Sequence, residues 1–382
     1  MDTFDVVIIG AGPAGCACAL ALHGSGLKVA LVDKETFPRD KVCGDAIPGK
    51  SFKAMDAILP VWGKLMRQFA RKSDIRTTKA FTPNSKSVSI NWVLYSFNSK
   101  RVHFDDFLMQ LVKTQTNTTV IENERLQQIV MASKKSQCRF KSKLVVEASI
   151  VVGCDGANSV VKRQLHKIEQ RNIFPCSAVR VYVKGVLGTL DGVNECHFLK
   201  ETPGYFWIFP LENGVCNVGF GGLSSMKGRN GQPLNLRETL KGIIVNTPDI
   251  SPRFVQAEML GDIKGFALPL STARQPISGE GYMLCGDAAS LIDPLSGHGI
   301  DKALWSGYFA AKQAITCVKS CCFDAETMRK YDKMVYDKVG AELRKNAILL
   351  RILVRFPWLI NSLSWFGKHQ KMAEKFVSVF KF

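Results

Sequence analysis

Nearly continuous hydrophobic runs, each followed by glycine, recur along this chain. The first run, residues 4–9, predicts a strand buried on both faces, and the apolar stretch after its glycines predicts a helix. A second run ends at Asp33, and two further runs end before Asp155 and Gly286. Buried strands that alternate with helices predict an α/β domain.

Residues 202–222 follow a different pattern, with four aromatic residues and two prolines before an Asn-Gly pair. Asn213-Gly214 between two apolar runs predicts a β-hairpin, because a type I′ turn needs positive φ at both central residues. With a two-residue loop, Trp207 pairs with Phe220. Strand alternation then divides the side chains between two faces.

One face of this predicted hairpin carries most of the aromatic side chains, and the other has vacancies where glycines stand. The first face consists of Tyr205, Trp207, Phe209, Val218 and Phe220. The second face consists of Phe206, Ile208, Gly219 and Gly221. An ordinary sheet core and the wall of a binding site both fit this division.

From about Glu326 onward the pattern is helical, and residues 343–373 contain six Lys or Arg residues but no Asp or Glu. Three arginines form a narrow stripe beside a wide apolar surface, namely Arg344, Arg351 and Arg355. Pro357 ends or kinks this helix, and Trp358 and Trp365 beyond it are suited to a membrane interface. An apolar helix that covers the core and holds its arginines in solvent is the alternative.

Size and composition limit the classes of protein. At 382 residues the chain is longer than one hydrophobic core usually serves, so two or three cooperating domains are expected. Hydrophobic residues make up 46%, which is typical of a globular protein, and no membrane-spanning helix is predicted. The first residues include Asp2 and Asp5 and lack the basic start of a signal peptide, so a cytoplasmic protein is expected.

The cysteines, the histidines and the net charge further restrict the classes of protein and the kinds of partner that the sequence fits. The twelve cysteines are scattered, so we expect reduced core thiols, and the six histidines show no metal-ligand spacing, so no metal is expected. The net charge of +18 indicates a negatively charged partner. No nucleic-acid module is recognisable in the sequence, so an anionic membrane or a phosphorylated substrate is expected instead.

Three glycines follow the first strand in Gly-x-Gly-x-x-Gly spacing. This spacing allows a tight turn, close approach of the backbone to a pyrophosphate and tight packing of helix on strand. The helix N-terminus attracts anions, and a carboxylate at the end of the second strand accepts the ribose hydroxyls of an adenosine. We therefore predict a Rossmann-like dinucleotide site. It consists of Gly10, Gly12, Ala14, Gly15, Asp33 and Lys34.

Two later motifs also follow apolar strands, and a third match lies along the chain between them and the first site. They are Asp155-Gly156, Gly286-Asp287 with a glycine-flanked helix start at residues 297–300, and Arg101 in "RVHFDDFL". In this order the motifs resemble those of flavoproteins of the p-hydroxybenzoate hydroxylase type. The resemblance spans residues 4 to about 310, and it implies that the dinucleotide is FAD.

The resemblance also implies roles for individual residues. Arg101 lies beside the FAD, Asp287 holds the ribityl hydroxyls, and the helix that starts near Gly299 directs its N-terminus at the flavin. Asp155 is either a cofactor residue or a turn residue that fixes its loop. The implied cofactor residues here are Arg101, Asp155, Gly156, Gly286, Asp287, Pro294, Gly297, His298, Gly299 and Ile300.

His298 departs from the Gly-Glu-Gly-Ile sequence that many relatives carry at this helix start. A histidine beside the flavin can shuttle protons near neutral pH. The alternative is a histidine that caps the helix or faces solvent, and we expect this alternative.

The hairpin resembles the signature of the geranylgeranyl reductase family, FAD enzymes that saturate isoprenoid double bonds. The matching residues are Tyr205, Trp207, Phe209, Pro210, Gly219 and Gly221. The resemblance makes the aromatic surface a wall that excludes water and lies along a prenyl chain. The family commonly has proline three positions before the tyrosine, whereas here Thr202 stands there and Pro203 follows.

The pair Cys43-Gly44 follows the second strand, and the same resemblance implies that it lies close to the flavin ring. A buried structural cysteine is the alternative. The implied reaction transfers a hydride from reduced flavin to one alkene carbon and a proton to the other. Candidate proton sources are Cys43, the Tyr205 hydroxyl, and a water on the backbone of Gly44 or Gly297. The catalytic candidates are Cys43, Tyr205 and Trp207.

The predicted architecture is α/β: a Rossmann-like FAD-binding domain interrupted by an antiparallel β-sheet substrate domain, with a helical C-terminal region. The FAD-binding domain covers residues 1–75, 100–175 and 265–325, the sheet domain 76–99 and 176–264, and the helical region 326–382. No second dinucleotide motif follows a strand. We therefore expect a reductant that docks transiently, either NAD(P)H or a small electron-transfer protein.

The predicted function is a reductase of prenyl chains at the membrane surface, acting on a prenyl diphosphate, a prenylated lipid or a quinone tail. The first alternative is a flavin monooxygenase or halogenase that consumes O₂. Tryptophan halogenases carry a Trp-x-Trp-x-Ile-Pro stretch, and "YFWIFP" lacks its first Trp and its Ile. The second alternative is a flavin-bound lipid carrier without activity.

Overall fold

The computed structural model describes residues 2–131, 135–166, 175–199, 204–223, 234–356 and 358–359. Its strands are β1 (Asp2–Ile9), β2 (Val29–Val32), β3 (Ala46–Ile47), β4 (Ser73–Phe81), β5 (Ser87–Asn98), β6 (Thr119–Ile121), β7 (Leu126–Val130), β8 (Ser136–Phe140), β9 (Val145–Gly153), β10 (Pro175–Lys184), β11 (Val193–His197), β12 (Tyr205–Pro210), β13 (Val215–Leu223), β14 (Glu258–Met259), β15 (Lys264–Pro269), β16 (Ser278–Gly279) and β17 (Tyr282–Leu284). Its α-helices are α1 (Pro13–Ala21), α2 (Lys50–Ile58), α3 (Pro60–Gln68), α4 (Arg101–Gln115), α5 (Val160–Leu165), α6 (Leu236–Asn246), α7 (Ile300–Ser320) and α8 (Ala325–Arg355).

The first of two sheets has a parallel centre in the order β17-β9-β1-β2-β6. Its central strands are buried, as their hydrophobic runs predict, and Val6, Val7 and Ile8 are fully inaccessible to solvent. Helix α1 packs against both α4 and α7. Gly307 permits the close approach of α7, because a side chain there would collide with the backbone of Ala14. The predicted Rossmann-like α/β architecture is confirmed.

The second sheet has the order β14-β10-β13-β12-β11-β4-β5-β3, and β15 also pairs with β10. Its pairs are antiparallel except for β11 with β4. One face packs against α6 in a separate core, whose members include Phe206, Ile208, Val218, Phe220 and Ile243. The predicted second, antiparallel sheet is therefore present, while the domain boundaries given above stay a prediction.

The predicted hairpin of β12 and β13 is present, but its loop is one residue longer than predicted. Asn213 and Gly214 have positive φ angles of 60° and 68°, as a type I′ turn requires. Glu212 also lies in the loop, because the Leu211 N–H donates to the carbonyl oxygen of Val215 across 2.7 Å. The extra residue shifts the strand register by one.

The shift moves the glycines to the other face of the hairpin. Tyr205 pairs with Gly221 and Trp207 pairs with Gly219, so the vacancies lie on the aromatic face and the predicted division of the faces was wrong. The Trp207 indole fills one vacancy, since a side chain at Gly219 would overlap it. Val218 and Phe220 instead belong to the core beside α6.

Helix α8 begins at a capped N-terminus and ends next to Pro357, as predicted for its C-terminus. The Asp324 carboxylate accepts hydrogen bonds from the N–H groups of Glu326 and Thr327, at 2.9 and 3.0 Å. Among the helices that the structure describes, none combines the length and apolar character needed to cross a bilayer. Trp365 and residues 202–203, on which predictions were also made, lie outside the described ranges.

Candidate active site

A cavity of about 1640 Å³ lies where loops of the first sheet meet the aromatic face of the second. Ligand pockets commonly measure ~300–1,000 Å³, so this cavity has room for a cofactor and a further ligand. Every predicted site residue lines it except Gly15 and Gly219, which support the lining from behind. The structure thus brings together residues from both ends of the chain.

The glycine loop after β1 has the shape that a diphosphate needs. Gly10 has φ +101°, and Gly15 lies so close to the Gly10 carbonyl that neither position accommodates a side chain. At Gly12 an added methyl group would meet no protein atom nearer than the Arg39 guanidinium, 3.8 Å away. No side chain caps α1 within the described structure, so its first-turn N–H groups, next to Ala14, remain for an anion. These residues fit the pyrophosphate of FAD.

Asp33 stands at the end of β2 and is held by the backbone. Its two carboxylate oxygens accept hydrogen bonds from the N–H groups of Ala11 and Glu35, at 2.6 and 2.9 Å. Each oxygen keeps a second lone pair, and the side chain lines the cavity, so it can still accept a ribose hydroxyl. Lys34, beside it, is exposed and pairs with Glu35 at 4.0 Å.

A buried cluster of charges lies behind Cys43. Arg101 donates two hydrogen bonds to Asp105, at 2.6 and 2.8 Å, and Arg39 adds a third at 2.7 Å. Burial alone would raise the pKa of Asp105, but the two guanidinium groups hold it below its usual value. The Cys43 side chain also lies close enough to the Arg101 guanidinium for the two groups to interact electrostatically. The cluster therefore places positive charge directly against the thiol.

Asp155 fixes its own loop. Its carboxylate accepts from the Ser159 hydroxyl at 2.5 Å and from the Val160 N–H at 2.6 Å, which caps α5. Burial raises the pKa of this carboxyl above its usual value. The side chain and Gly156 also line the cavity. The turn role considered for Asp155 is therefore present, and direct contact of its side chain with FAD stays a prediction.

The third motif places an acid and a helix N-terminus at the same cavity. Asp287, next to Gly286, lies 3.5 Å from the Lys41 ammonium. Helix α7 begins at Ile300 behind Gly299, and Pro294 and Gly297 line the cavity beside it. The Tyr205 hydroxyl donates to the carbonyl oxygen of Ser296 at 3.4 Å. The aromatic wall therefore reaches the loop that the resemblance assigns to the flavin.

His298 lies in the cavity wall, with its ring centroid 6.3 Å from that of Trp92. Its side chain is half-buried, and the expectation that it caps the helix or faces solvent stays a prediction. Burial, with a smaller contribution from the Lys302 ammonium, lowers the pKa of His298. The imidazole is therefore neutral at pH 7.

The aromatic wall consists of neighbouring rings on β12 that are tilted relative to one another. The ring centroids of Tyr205 and Trp207 are 5.6 Å apart, and those of Trp207 and Phe209 are 6.1 Å apart. A methyl group added at Gly44 would lie 3.5 Å from the Phe209 ring and 3.9 Å from the Trp207 Nε1. The wall thus begins at the Cys43-Gly44 loop, while Gly221 lines the cavity further along.

Several residues of the cavity were missed in the sequence. Strand β5 contributes Val88, Ile90 and Trp92, which alternate with exposed residues in a period-two pattern that could have been recognised. Helix α8 contributes Leu350 and Leu353. Arg39 and Lys41, which line the cavity, have no sequence pattern that points to the site, and the same holds for Asp45 and Asn217, which are buried behind its wall.

Comparison with known proteins identifies the family of this chain. The FAD binding domain family model matches residues 3–315. The menaquinone reductase of Mycobacterium tuberculosis is 29% identical over 340 residues, which cover 81% of this chain and 76% of that protein. The digeranylgeranylglycerophospholipid reductase of Methanocella arvoryzae is 27% identical over 375 residues, which cover 92% of this chain and 88% of that protein.

Solved structures share the fold. A geranylgeranyl bacteriochlorophyll reductase-like protein from Thermoplasma acidophilum has a TM-score of 0.83 at 21% identity, covering 99% of this chain and 96% of that one. The halogenase PltM, solved in complex with phloroglucinol and FAD, has a TM-score of 0.77 at 16% identity, covering 99% and 86%. The chain therefore belongs to the FAD binding domain family, and the prediction of an FAD-dependent oxidoreductase resembling the geranylgeranyl reductases is confirmed.

Proposed function

We propose that this protein saturates double bonds of isoprenoid chains, with FAD as its cofactor. The observation that carries the proposal is the continuity of the cavity, which runs from the glycine loop past the aromatic wall to Leu350 and Leu353 on α8. A long apolar space beside the cofactor loops suits a prenyl chain. The relatives named menaquinone reductase and digeranylgeranylglycerophospholipid reductase support this substrate class.

When bound and reduced, FAD supplies the hydride. The chain's own residues must then hold the alkene, exclude water and deliver a proton. Tyr205, Trp207 and Phe209 form the flat surface that holds the alkene. We assign the proton to the Cys43 thiol, because Cys43 lines the cavity next to the aromatic wall and a thiol is ordinarily a stronger acid than a phenol. The Tyr205 phenol is a poorer donor, since burial raises its pKa far above the ordinary value.

Anaerobic turnover tests this function. Holoprotein reduced with dithionite under argon should convert geranylgeranyl diphosphate, or a prenylated quinone, to a product that gains two hydrogens per bond saturated. Mass spectrometry measures the gain. In this assay Cys43→Ser should keep its FAD but lose rate, because a hydroxyl is a far weaker acid than a thiol.

Two other outcomes would contradict the proposal. A product that forms only with O₂ and gains oxygen or halide would make the protein a monooxygenase or halogenase. Lipid that binds to reduced holoprotein without any turnover would make it a carrier. NAD(P)H and a small electron-transfer protein are the candidate physiological reductants, and each can replace dithionite in the same assay.

The end of α8 is the proposed route by which the lipid reaches the cavity. Ile352, Phe356 and Trp358 are 41%, 46% and 64% exposed, and Arg351 and Arg355 lie among them. Leu350 and Leu353 line the cavity from the same helical turn. An apolar surface with flanking arginines binds anionic membranes, so we propose peripheral attachment at this end.

Vesicle flotation tests the attachment. The protein should float with vesicles containing phosphatidylglycerol and do so less at high salt, because screening weakens attraction between arginines and anionic lipid. Phe356→Glu should reduce the floating fraction several-fold. The control Val245→Glu changes a residue that is 67% exposed on α6 and should float like wild type. Equal loss in both variants would contradict a specific attachment site.

A further inference from the structure

A buried carboxylate links the Cys43-Gly44 loop to the second sheet. Asp45 is fully inaccessible to solvent and has a backbone φ of +64°. One of its oxygens, Oδ2, accepts hydrogen bonds from the Tyr182 hydroxyl at 2.8 Å and from the Asn217 Nδ2 at 2.9 Å. Tyr182 lies on β10 and Asn217 on β13, so Asp45 joins the loop to two strands.

Asn217 connects Asp45 to the aromatic wall through hydrogen bonds. Its Nδ2 donates to the Cys43 carbonyl at 2.8 Å as well as to Asp45. Its Oδ1 accepts from the Trp207 Nε1 at 2.9 Å. An indole N–H only donates and a carboxylate only accepts, so the two partners allow a single orientation of the amide between them.

The Trp207 indole also contacts the Cys43-Gly44 loop, which directly precedes Asp45. The Trp207 Nε1 lies against Gly44, 3.9 Å from the place a β-carbon would take. Gly44 is the residue between the proposed proton donor Cys43 and Asp45. The hydrogen bonds from Asp45 through Asn217 to Trp207, together with the contact between Trp207 and Gly44, therefore form a closed set of contacts. This set lies where the Cys43-Gly44 loop meets the aromatic wall of the cavity.

Two features of Asp45 are costly for the fold. Its Oδ1 is buried and has no hydrogen-bond partner among the described residues, and a positive φ is unfavourable for a residue with a side chain. The charged and titratable groups that face it are Tyr182 and Arg180 on β10 and Arg101 on α4. Burial raises the pKa of Asp45 to about 6, although Asn217, Tyr182 and both arginines oppose the shift. Such features are typical of residues that serve a site.

We propose that Asp45 is a positioning residue, which through Asn217 holds the Trp207 indole against Gly44 and so sets the gap in which the prenyl chain lies beside Cys43. This inference rests on the proposed function for the identity of the chain in that gap. The arrangement of the indole itself does not depend on the substrate, so it can be measured without turnover.

The fluorescence of Trp207 tests the arrangement in the purified holoprotein. The chain has six tryptophans, so the contribution of Trp207 is the difference between each protein and its Trp207→Phe counterpart. In Asp45→Ala, quenching of this difference by acrylamide should rise about twofold or more, because the Asn217 amide loses one of its two acceptors and keeps only the Cys43 carbonyl. Asp45→Asn retains a neutral acceptor oxygen, so its quenching should resemble that of wild type at low pH and lie between those of wild type at pH 8 and Asp45→Ala.

The pH dependence separates positioning from simple structural support. In wild type, quenching of Trp207 should increase as the pH falls through about 6, because a protonated carboxyl is a weaker acceptor than a carboxylate. Asp45→Asn should remove this dependence. Tyr182→Phe removes the other hydrogen bond to Asp45 but leaves the bridge through Asn217, so at pH 8 its Trp207 quenching should stay at the wild-type level.

Turnover then connects the arrangement to the reaction. In the anaerobic assay Asp45→Ala should lower kcat about tenfold or more with its FAD retained, and Asp45→Asn should restore most of the rate. Unchanged Trp207 quenching in Asp45→Ala would overturn the proposal whatever the activity. If Asp45→Ala does not fold, Asn217→Leu breaks the same bridge and the same change in quenching is expected. A wild type with the expected quenching but no prenyl reduction would refute the proposed function and leave the positioning intact.

Discussion

Gly12→Ala is expected to deprive the protein of FAD without unfolding it. An added methyl group at this position projects into the cavity and meets no protein atom within 3.8 Å, so the native fold tolerates it. The same methyl group would occupy the space through which the pyrophosphate approaches the backbone. Wild type should release about one non-covalent FAD per chain on denaturation, whereas we expect at least a ~100-fold loss of FAD affinity in the variant.

Two further alanine variants make this result interpretable. Gly15→Ala places its methyl group against the Gly10 carbonyl, so it should lose both FAD and thermal stability, with a cost of about 1–3 kcal/mol or more. Gly242→Ala, on α6, approaches nothing closer than Asn246 at 4.0 Å, so it should keep its FAD and should not lower the melting temperature, since alanine is the better helix former. The measurements are flavin absorbance of the denatured supernatant and the melting temperature. Wild-type FAD content in Gly12→Ala would remove the glycine loop from the site.

The glycine loop was predictable because its determinants are local. Residues 4–33 contain the strand, the turn, the helix and the carboxylate in one stretch, and each depends on near neighbours for its conformation. The position of Asp287 follows for the same reason, since the buried strand β17 ends at Leu284, shortly before it. Local sequence features therefore predicted most of the residues expected to bind FAD.

The hairpin shows where local reasoning fails. Asn213 and Gly214 take the predicted positive φ, yet Glu212 adds one residue to the loop and every side chain on the second strand changes face. With the predicted register Asn217 falls on the face opposite Trp207. With the true register it lies on the same face as the indole and donates its amide to Asp45. Because the predicted loop was one residue too short, the hydrogen bonds from Trp207 through Asn217 to Asp45 could not be predicted.

Other parts of the site depend on packing between distant segments. Asp45 gives no local signal, because its hydrogen-bond partners lie more than a hundred residues away. The role of α8 as a cavity wall depends on where the helix docks, and the alternation of polar and apolar residues does not specify docking. The sequence left two alternatives open for this helix, a membrane interface or a cover for the core. The described helix packs against the core, and its exposed apolar end leaves the membrane interface a prediction.

The corrected register leads to the second large expected effect. Trp207→Ala should lower the rate of prenyl reduction by about 100-fold, since loss of a surface that orients the alkene has effects of this size. FAD content should stay near wild type, because Gly10, Gly12 and Asp33 belong to the other sheet. The indole is only 4% exposed, so its removal also costs about 3–5 kcal/mol of stability.

The variant Phe206→Ala distinguishes the loss of turnover from the loss of stability. Phe206 is the neighbour of Trp207 on the same strand, but it faces α6 and is fully buried in the other core. Its removal should cost the same ~3–5 kcal/mol while the aromatic wall of the cavity stays complete. Assayed well below both melting temperatures, Phe206→Ala should keep most of its turnover and Trp207→Ala should not. Equal losses of turnover in the two variants would mean that the hairpin supports the fold alone, and the substrate would have to lie elsewhere in the cavity.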